Sequence, residues 1–326
     1  MKCGNFLSMN LLKQISQNKN LKKPVIYGVS GLELTDEEKS FFKENGCVGF
    51  ILFARNIKDK VQLKKLVASL KELMEGDLLV LIDQEGGRVA RMREPHWPKY
   101  PSGKYFADKY LIDKELAGQE IYENFNKIAK DLVEMGINVD CAPLLDVSCD
   151  ITHDVIGDRA YGDNVQQITD LARGVCDGLL ANKVYPVIKH IPGHGRGACD
   201  SHLDLPRVSA TLKELQDVDF AVFKNFTEQK FAMTAHILYE AIDLQNCATN
   251  SRKMIDLIRN EIGFKNILMT DDLSMKALKG SFTDRTKNAI NAGCDLVLHC
   301  NGDMNEMQQI NSGLNNVSDN LLEKFN

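Results

Sequence analysis

The residues best suited to chemistry crowd into Lys189-His190-Ile191-Pro192-Gly193-His194-Gly195-Arg196-Gly197-Ala198-Cys199-Asp200-Ser201-His202, which holds three of the chain's seven histidines. Pro192 and the glycines at 193, 195 and 197 make this stretch a loop. His190 and His194 therefore do not share a helical face as an i, i+4 zinc pair would, and zinc is the weaker reading. The glycines permit close approach of backbone to a ligand, or a loop that moves. Asp200 and His202 pair if the backbone turns between them. A carboxylate on one imidazole nitrogen fixes the tautomer and leaves the other nitrogen for proton transfer. Taken alone, a loop histidine more often only bonds its own loop.

Other polar residues stand just past short apolar runs: Arg55 with Asn56, Asp83, Asp146, Lys189 with His190, His236, Asp271 with Asp272, and His299 with Asn301. Any strand end needs something polar, which explains one or two of these sites but not seven. Successive side chains on a strand point to opposite sides, so only one of Asp271 and Asp272 is expected to face a common site, and the pattern leaves open which.

The runs that would carry these residues lie at 25–29, 48–53, 78–82, 137–141, 184–188, 231–234, 266–270 and 295–299. Each is too short for an ordinary helix and apolar throughout, as suits a parallel strand buried on both faces. Helix-length amphipathic segments separate them. Thr35-Asp36-Glu37-Glu38 opens one with a cap residue and an acidic first turn; others lie near 58–75, 113–135, 165–182, 211–229, 251–262, 284–293 and 303–323. Gly46, Gly76, Gly136, Gly263 and Gly293 stand where preceding helices would end. Strands alternating with helices predict an α/β chain folded as a single-domain (β/α)8 TIM-type barrel, with its site at the carboxyl ends of the strands. A doubly wound sheet would more often carry a Gly-rich fingerprint after its first strand, and Gly28-Val29-Ser30-Gly31-Leu32-Glu33-Leu34 lacks GxGxxG. Residues 1–23 are read as an N-terminal extension and 24–326 as the catalytic barrel.

With 44% apolar and 26% charged residues in 326, the chain has material for a sizeable core and is not of the disordered or collagen-like class. A net charge of -5 without basic runs argues against nucleic acid or an anionic membrane as partner. Nine scattered cysteines without a CxxC pair read as small core residues in a reducing compartment. The first 23 residues lack the apolar core of a signal peptide, and no apolar run reaches the roughly 18 residues of a membrane span. The expectation is a soluble, cytoplasmic, monomeric enzyme acting on a small molecule.

Several segments together resemble glycoside hydrolase family 3, more narrowly its single-domain bacterial β-N-acetylglucosaminidases (β-N-acetylhexosaminidases) of peptidoglycan recycling. They are Lys189-His190-Ile191-Pro192-Gly193-His194-Gly195, the trailing Asp200-Ser201-His202, Asp83-Gln84-Glu85-Gly86-Gly87-Arg88-Val89, Val155-Ile156-Gly157-Asp158-Arg159-Ala160-Tyr161-Gly162, Thr234-Ala235-His236-Ile237 and Thr270-Asp271-Asp272-Leu273-Ser274-Met275, in the family's order. The resemblance implies that Asp271 is the nucleophile and Asp272 a structural partner. It implies that His202, oriented by Asp200, is the acid/base. The larger β-glucosidases of the family use a Glu from a second domain, for which this chain is expected to have no room. Asp83, Arg91, Arg159, Lys189 and His190 would bind the sugar. Asp83 would accept hydroxyls, Lys189 and His190 donate to others, and the two arginines offer forks to hydroxyls or a muropeptide carboxylate.

The implied reaction is hydrolysis of a β-linked GlcNAc unit with retention, through a covalent glycosyl-enzyme, without metal or organic cofactor. Competing readings are a phosphorylase of the same fold, a metal-dependent barrel hydrolase (disfavoured because no HxH follows the first strand) and a non-catalytic sugar-binding barrel. Arg88 is read as a salt-bridge partner of Glu85, His236 as a supporting residue at the mouth, and His96 with Trp97 as loop packing.

Overall fold

The computed structural model describes residues 5–197, 201 and 204–326. Eight parallel strands close into a barrel: β1 Val25–Gly28, β2 Gly49–Leu52, β3 Leu79–Ile82, β4 Val139–Asp140, β5 Tyr185–Ile191, β6 Phe231–Thr234, β7 Ile267–Asp272 and β8 Leu296–His299. Each strand lies inside or overlaps one of the eight apolar runs. The barrel closes where Ile26 of β1 pairs with Leu298 of β8. Every connection between consecutive strands carries a helix, as a parallel neighbour requires.

Alternation along the strands sorts their side chains into two cores. Ile26, Ile51, Leu79, Leu81, Val139, Val187, Phe231, Met233, Ile267, Met269, Leu296 and Leu298 pack into the interior of the barrel. Val25, Tyr27, Phe50, Leu52, Val80, Ile82, Ile188, Ala232, Leu268 and Val297 pack outward against helices. A strand that must satisfy both cores has no polar position to spare until its end, so the continuous apolar runs follow from the architecture.

The helices begin and stop where local chemistry dictates. Thr35 Oγ1 accepts from the Glu38 amide at 3.1 Å, while the Thr35 amide donates to Glu38 Oε2 at 2.9 Å, a reciprocal box at the start of Asp36–Asn45. Glu38 Oε1 also accepts from the Ser30 amide, tying that helix to the loop after β1. Gly293 ends Phe282–Ala292 at φ +116, a conformation that strains any side chain. At Gly76 the expectation differs in detail: the preceding Glu75 takes the positive φ. The segment expected as one helix over 303–323 is two, Met304–Ser312 and Asp319–Phe325. Gly313 caps the first, and Ser318 starts the second by accepting from the Leu321 amide. Two further helices, Asn5–Ser16 and Gly103–Tyr110, carried no sequence signal that singled them out.

The helix Asn5–Ser16 closes one end of the barrel. Its Leu12 and Ile15, with Leu21 just before β1 and Leu321 and Phe325 from the last helix, join the barrel's interior cluster. Because Leu21 precedes β1, this plug sits at the amino ends of the strands, opposite the end where a barrel site forms. Among the described residues no helix is long and apolar enough to cross a membrane. Phe325 is 1% exposed. Phe325→Ala should lower the unfolding free energy by about 3–5 kcal/mol in a denaturant titration. Because the plug lies at the far end, the properties of the mouth should be retained in the folded variant.

Candidate active site

At the carboxyl ends of the strands, five charged side chains form one row. Arg91 Nη2 donates to Asp83 Oδ2 at 3.0 Å, and Lys189 Nζ donates to Asp83 Oδ1 at 2.9 Å. The same Nζ lies 2.7 Å from Glu85 Oε1, and Arg159 grips Glu85 with Nε and Nη2 at 2.9 and 2.8 Å. The order is Arg91, Asp83, Lys189, Glu85, Arg159, with sign alternating at every step. Lys189 is only 2% exposed and Glu85 5%. Burial alone would raise both carboxyls, but the facing cations outweigh it, Lys189 and Arg91 at Asp83, Arg159 and Lys189 at Glu85, and hold both below the usual range. Burial alone would lower Lys189, and the two carboxylates keep it charged instead.

Beside this row, Asp146 is wholly buried and serves three donors. Its Oδ1 accepts the His194 amide at 2.6 Å and the His190 amide at 3.1 Å, and its Oδ2 lies 2.7 Å from His190 Nδ1. Burial pushes the Asp146 carboxyl up, but His190, His194 and these hydrogen bonds bring it down to about 2. His194 has a different setting. Burial, then the neighbouring His190, lowers it to about 4, so it is neutral at physiological pH, with Nε2 3.2 Å from Ser201 Oγ.

The glycine loop after β5 is pinned to protein. At Gly195 a Cβ would lie 1.7 Å from the Val147 carbonyl oxygen, so only glycine fits there. The Gly195 carbonyl accepts from Thr152 Oγ1 at 2.6 Å, the Gly193 carbonyl from Tyr239, and Arg196 Nε donates to Asp219 at 2.7 Å. The close approach that Gly195 permits is thus to backbone of the 147–152 segment. Ser201 meets the loop after β7: the Ala277 amide donates to the Ser201 carbonyl at 3.2 Å.

Asp271 and Asp272 end β7. The pairing of β7 with β8 shifts register between Met269 and Asp272, and both aspartates line the cavity, which corrects the expectation that only one would face it. An irregular strand end does not hold strict alternation. Their settings differ nonetheless. Asp272 accepts from the Ser274 amide and hydroxyl and from the Cys300 amide, so it braces two loops. Asp271 Oδ1 accepts from the Asp272 amide at 2.8 Å. His236 lies buried behind them. Its Nε2 faces the Asp272 carbonyl oxygen at 3.1 Å and must donate; Nδ1 then accepts from Thr249 Oγ1 at 2.7 Å.

These groups surround a cavity of about 460 Å3. Asp83, Arg91, Arg159, Lys189, His190 and Asp271, all expected at the site, line it. Asp200 and His202 lie outside the described residues, but Ser201 between them lines the same cavity. Some expectations are corrected. Arg88 pairs with Asp158 at 2.8 Å and with Asp154, because Arg159 and Lys189 occupy Glu85. Arg159 spends Nε and one Nη2 proton on Glu85 and one Nη1 proton on the Val155 carbonyl, which leaves one N–H on each terminal nitrogen. Of the other polar strand ends, Arg55 and Asn56 brace the Val29 carbonyl, and His299 is buried against Glu306. Trp97 is buried away from the cavity, consistent with loop packing.

Sequence reasoning gave no role at the site to Glu85 or Asp146, although one lies in the quoted Asp83-to-Val89 segment and the other is among the polar residues past the apolar runs. It also missed the apolar wall of Phe53, Met233 and Cys300, whose residues look like ordinary core. Arg55 and Arg91 flank the Phe53 ring at 5.0 and 5.1 Å. Among the described residues no group of three or more His, Cys, Asp or Glu side chains is placed to hold a metal ion.

Asp140, at the end of β4, is buried behind the row. Its Oδ1 accepts from the Gln84 amide at 2.9 Å, and its Oδ2 has no partner among the described residues. Burial, with Asp83 and Glu85 adding to it, pushes this carboxyl up to about 7, against the opposing pull of the Gln84 amide and Lys189. A carboxyl raised in the folded state favours folding while protonated, and that contribution is lost as pH rises from about 4, its unfolded value, toward 7. Asp140→Asn should therefore gain in melting temperature relative to the parent between pH 5 and pH 8. A gain that is constant across this range would contradict the assignment.

The glycosyl hydrolase family 3 N-terminal domain matches residues 11–323. A β-hexosaminidase of Nitrosomonas eutropha is 33% identical over 282 residues, covering 85% of this chain and 80% of that protein. One from Psychromonas ingrahamii is 33% identical over 307 residues, covering 93% and 87%. The crystal structure of NagZ from Neisseria gonorrhoeae in complex with N-trifluoroacetyl-D-glucosamine matches with a TM-score of 0.85 at 30% identity, covering 93% of this chain and 89% of that one. On this evidence the chain belongs to glycosyl hydrolase family 3.

Proposed function

We propose that this chain is a retaining β-N-acetylglucosaminidase that removes terminal β-linked GlcNAc from peptidoglycan-derived muropeptides in the cytoplasm. The family membership and the named relatives support the activity. The seven free cysteines among the described residues support a reducing compartment. For the chemistry, one observation carries most weight: the hydrogen bond from the Ala277 amide to the Ser201 carbonyl. It ties Ser201, which stands between Asp200 and His202 in sequence and lines the cavity, to the loop that follows Asp271 and Asp272, and so supports a site shared by two stretches some seventy positions apart.

In this reading the sugar ring lies over the charged row. Asp83 accepts hydroxyl protons on the lone pairs that Lys189 and Arg91 leave open, and Lys189 and His190 complete the contacts. An Asp271 carboxylate oxygen attacks the anomeric carbon as the glycosidic C–O bond breaks. His202 gives its proton to the departing oxygen, with Asp200 fixing the imidazole. A glycosyl ester and a free alcohol result. Water then loses a proton to the neutral His202 and attacks the same carbon, the ester bond breaks, and the sugar leaves with its configuration retained. Asp272, occupied by Ser274 and Cys300, stays structural.

The test is turnover of a chromogenic N-acetyl-β-glucosaminide. The parent protein should cleave it in preference to the matching glucoside, without added phosphate, and proton NMR should show the β anomer first. Asp271→Ala should lower kcat/KM by on the order of 10,000-fold or more. Asp272→Ala should keep measurable turnover while lowering the melting temperature, since it loses loop contacts instead of the nucleophile. Near-normal rates in Asp271→Ala would refute the assignment, and a sugar 1-phosphate formed only with phosphate would move the protein to the phosphorylases.

A further inference from the structure

The buried Asp146 is absent from the catalytic steps above, yet it accepts three hydrogen bonds at the mouth. It is 0% exposed, and all the donors it serves belong to His190 and His194. Oδ1 takes two backbone amides, which fixes the turn of chain leaving β5. Oδ2 takes something else: the ring nitrogen Nδ1 of a histidine that lines the cavity. An ionised carboxylate only accepts, so the Nδ1 atom facing it carries the proton. Nε2, at the other edge of the ring, is then the nitrogen available for a ligand. His194 sits four residues on, with ring centroids 5.5 Å apart, and among the described residues no carboxylate bonds its ring. The two histidines share a loop, and the Oδ2 contact is what separates them.

We infer that Asp146 is a positioning residue for substrate binding: its Oδ2 sets the proton and the orientation of the His190 ring, while its Oδ1 holds the backbone that carries that ring. The inference rests on the reading of this cavity as a sugar site and adds to it the residue through which His190 is made a uniform partner for a hydroxyl. Asp146→Asn separates the two duties. An amide oxygen still accepts both backbone N–H groups, but the amide nitrogen is a donor and cannot receive Nδ1–H. The His190 proton must then move to Nε2 or the contact must break.

The first measurement is the tautomer. Long-range nitrogen–proton NMR of the parent protein should show His190 protonated on Nδ1, and Asp146→Asn should move that proton to Nε2. The second is a double-mutant cycle on the chromogenic N-acetyl-β-glucosaminide. Asp146→Asn should lower kcat/KM by about 10–100-fold in the parent, the range typical of groups that orient an active histidine. It should lower it less than about twofold when His190 is already Phe, because the residue acts through that ring. Equal losses in both backgrounds would mean that Asp146 only holds backbone, and would overturn the inference. So would a parent His190 lacking the Nδ1 proton at neutral pH, a result that stands even if a variant folds poorly. If the parent cleaves no N-acetylglucosaminide, the functional reading fails, and the tautomer measurement still decides whether Asp146 sets the ring.

Discussion

Five charges in one row at the mouth of the barrel are the constraint to which the rest of the site answers. Burying an ion without a partner costs several kcal/mol, and removing one member of a buried pair typically costs about 3–5 kcal/mol. Arg91, Asp83, Lys189, Glu85 and Arg159 meet that demand only because each has an opposite charge beside it. They come from three places: the hairpin after β3, the end of β5 and the short turn Gly157–Arg159. The row therefore binds three separate stretches of chain at the mouth. Its members cannot be exchanged singly without stranding a charge, so the geometry of the site is part of what folding must satisfy.

The barrel explains why these charges stand at one end. Alternation along each strand commits one set of side chains to the interior and the other to the helices, and both environments are apolar. The amino end is filled by Leu12, Ile15, Leu21, Leu321 and Phe325. Polar groups that must converge have only the carboxyl end left. There the regular pattern relaxes: β5 shifts register between Lys189 and Ile191 and β7 between Met269 and Asp272. On these two barrel strands consecutive residues, Lys189 with His190 and Asp271 with Asp272, line the same cavity. Irregularity at the strand ends buys chemical density at the site.

Much of this was legible in the residues. Buried parallel strands write themselves as apolar runs, and all eight runs became strands. Polar residues after those runs marked the mouth, and six of the expected site residues line one cavity. What was illegible depends on pairing between distant segments. Glu85 could not be assigned to Arg159 in place of Arg88 without knowing which arginine the fold brings near. Asp146 reads as one more polar strand end until the His190 ring is seen against it. The break in the last helical stretch was present in Gly313 and Ser318, but amphipathic spacing on both sides hid it. The alternation argument for Asp271 and Asp272 failed because it assumed a regular strand where the ladder is shifted.

The row also bears on what kind of ligand the cavity suits. Each of its cations already faces a carboxylate, and Arg159 spends three of its five N–H groups on Glu85 and the Val155 carbonyl. A ligand that drew a cation away would leave Asp83 or Glu85 uncompensated in a buried setting, which is costly. A hydroxyl has no such difficulty. It donates to a remaining lone pair on Asp83, or accepts the third proton of Lys189, and leaves the charge balance as it was. Such a site suits a hydroxyl-rich ring. In the proposed reaction Asp271, on the wall formed by β7, faces an anomeric centre that brings no charge of its own. When positive charge develops at the anomeric carbon during bond cleavage, a carboxylate placed there stabilises the transition state more than the neutral ground state, which is the condition for catalysis.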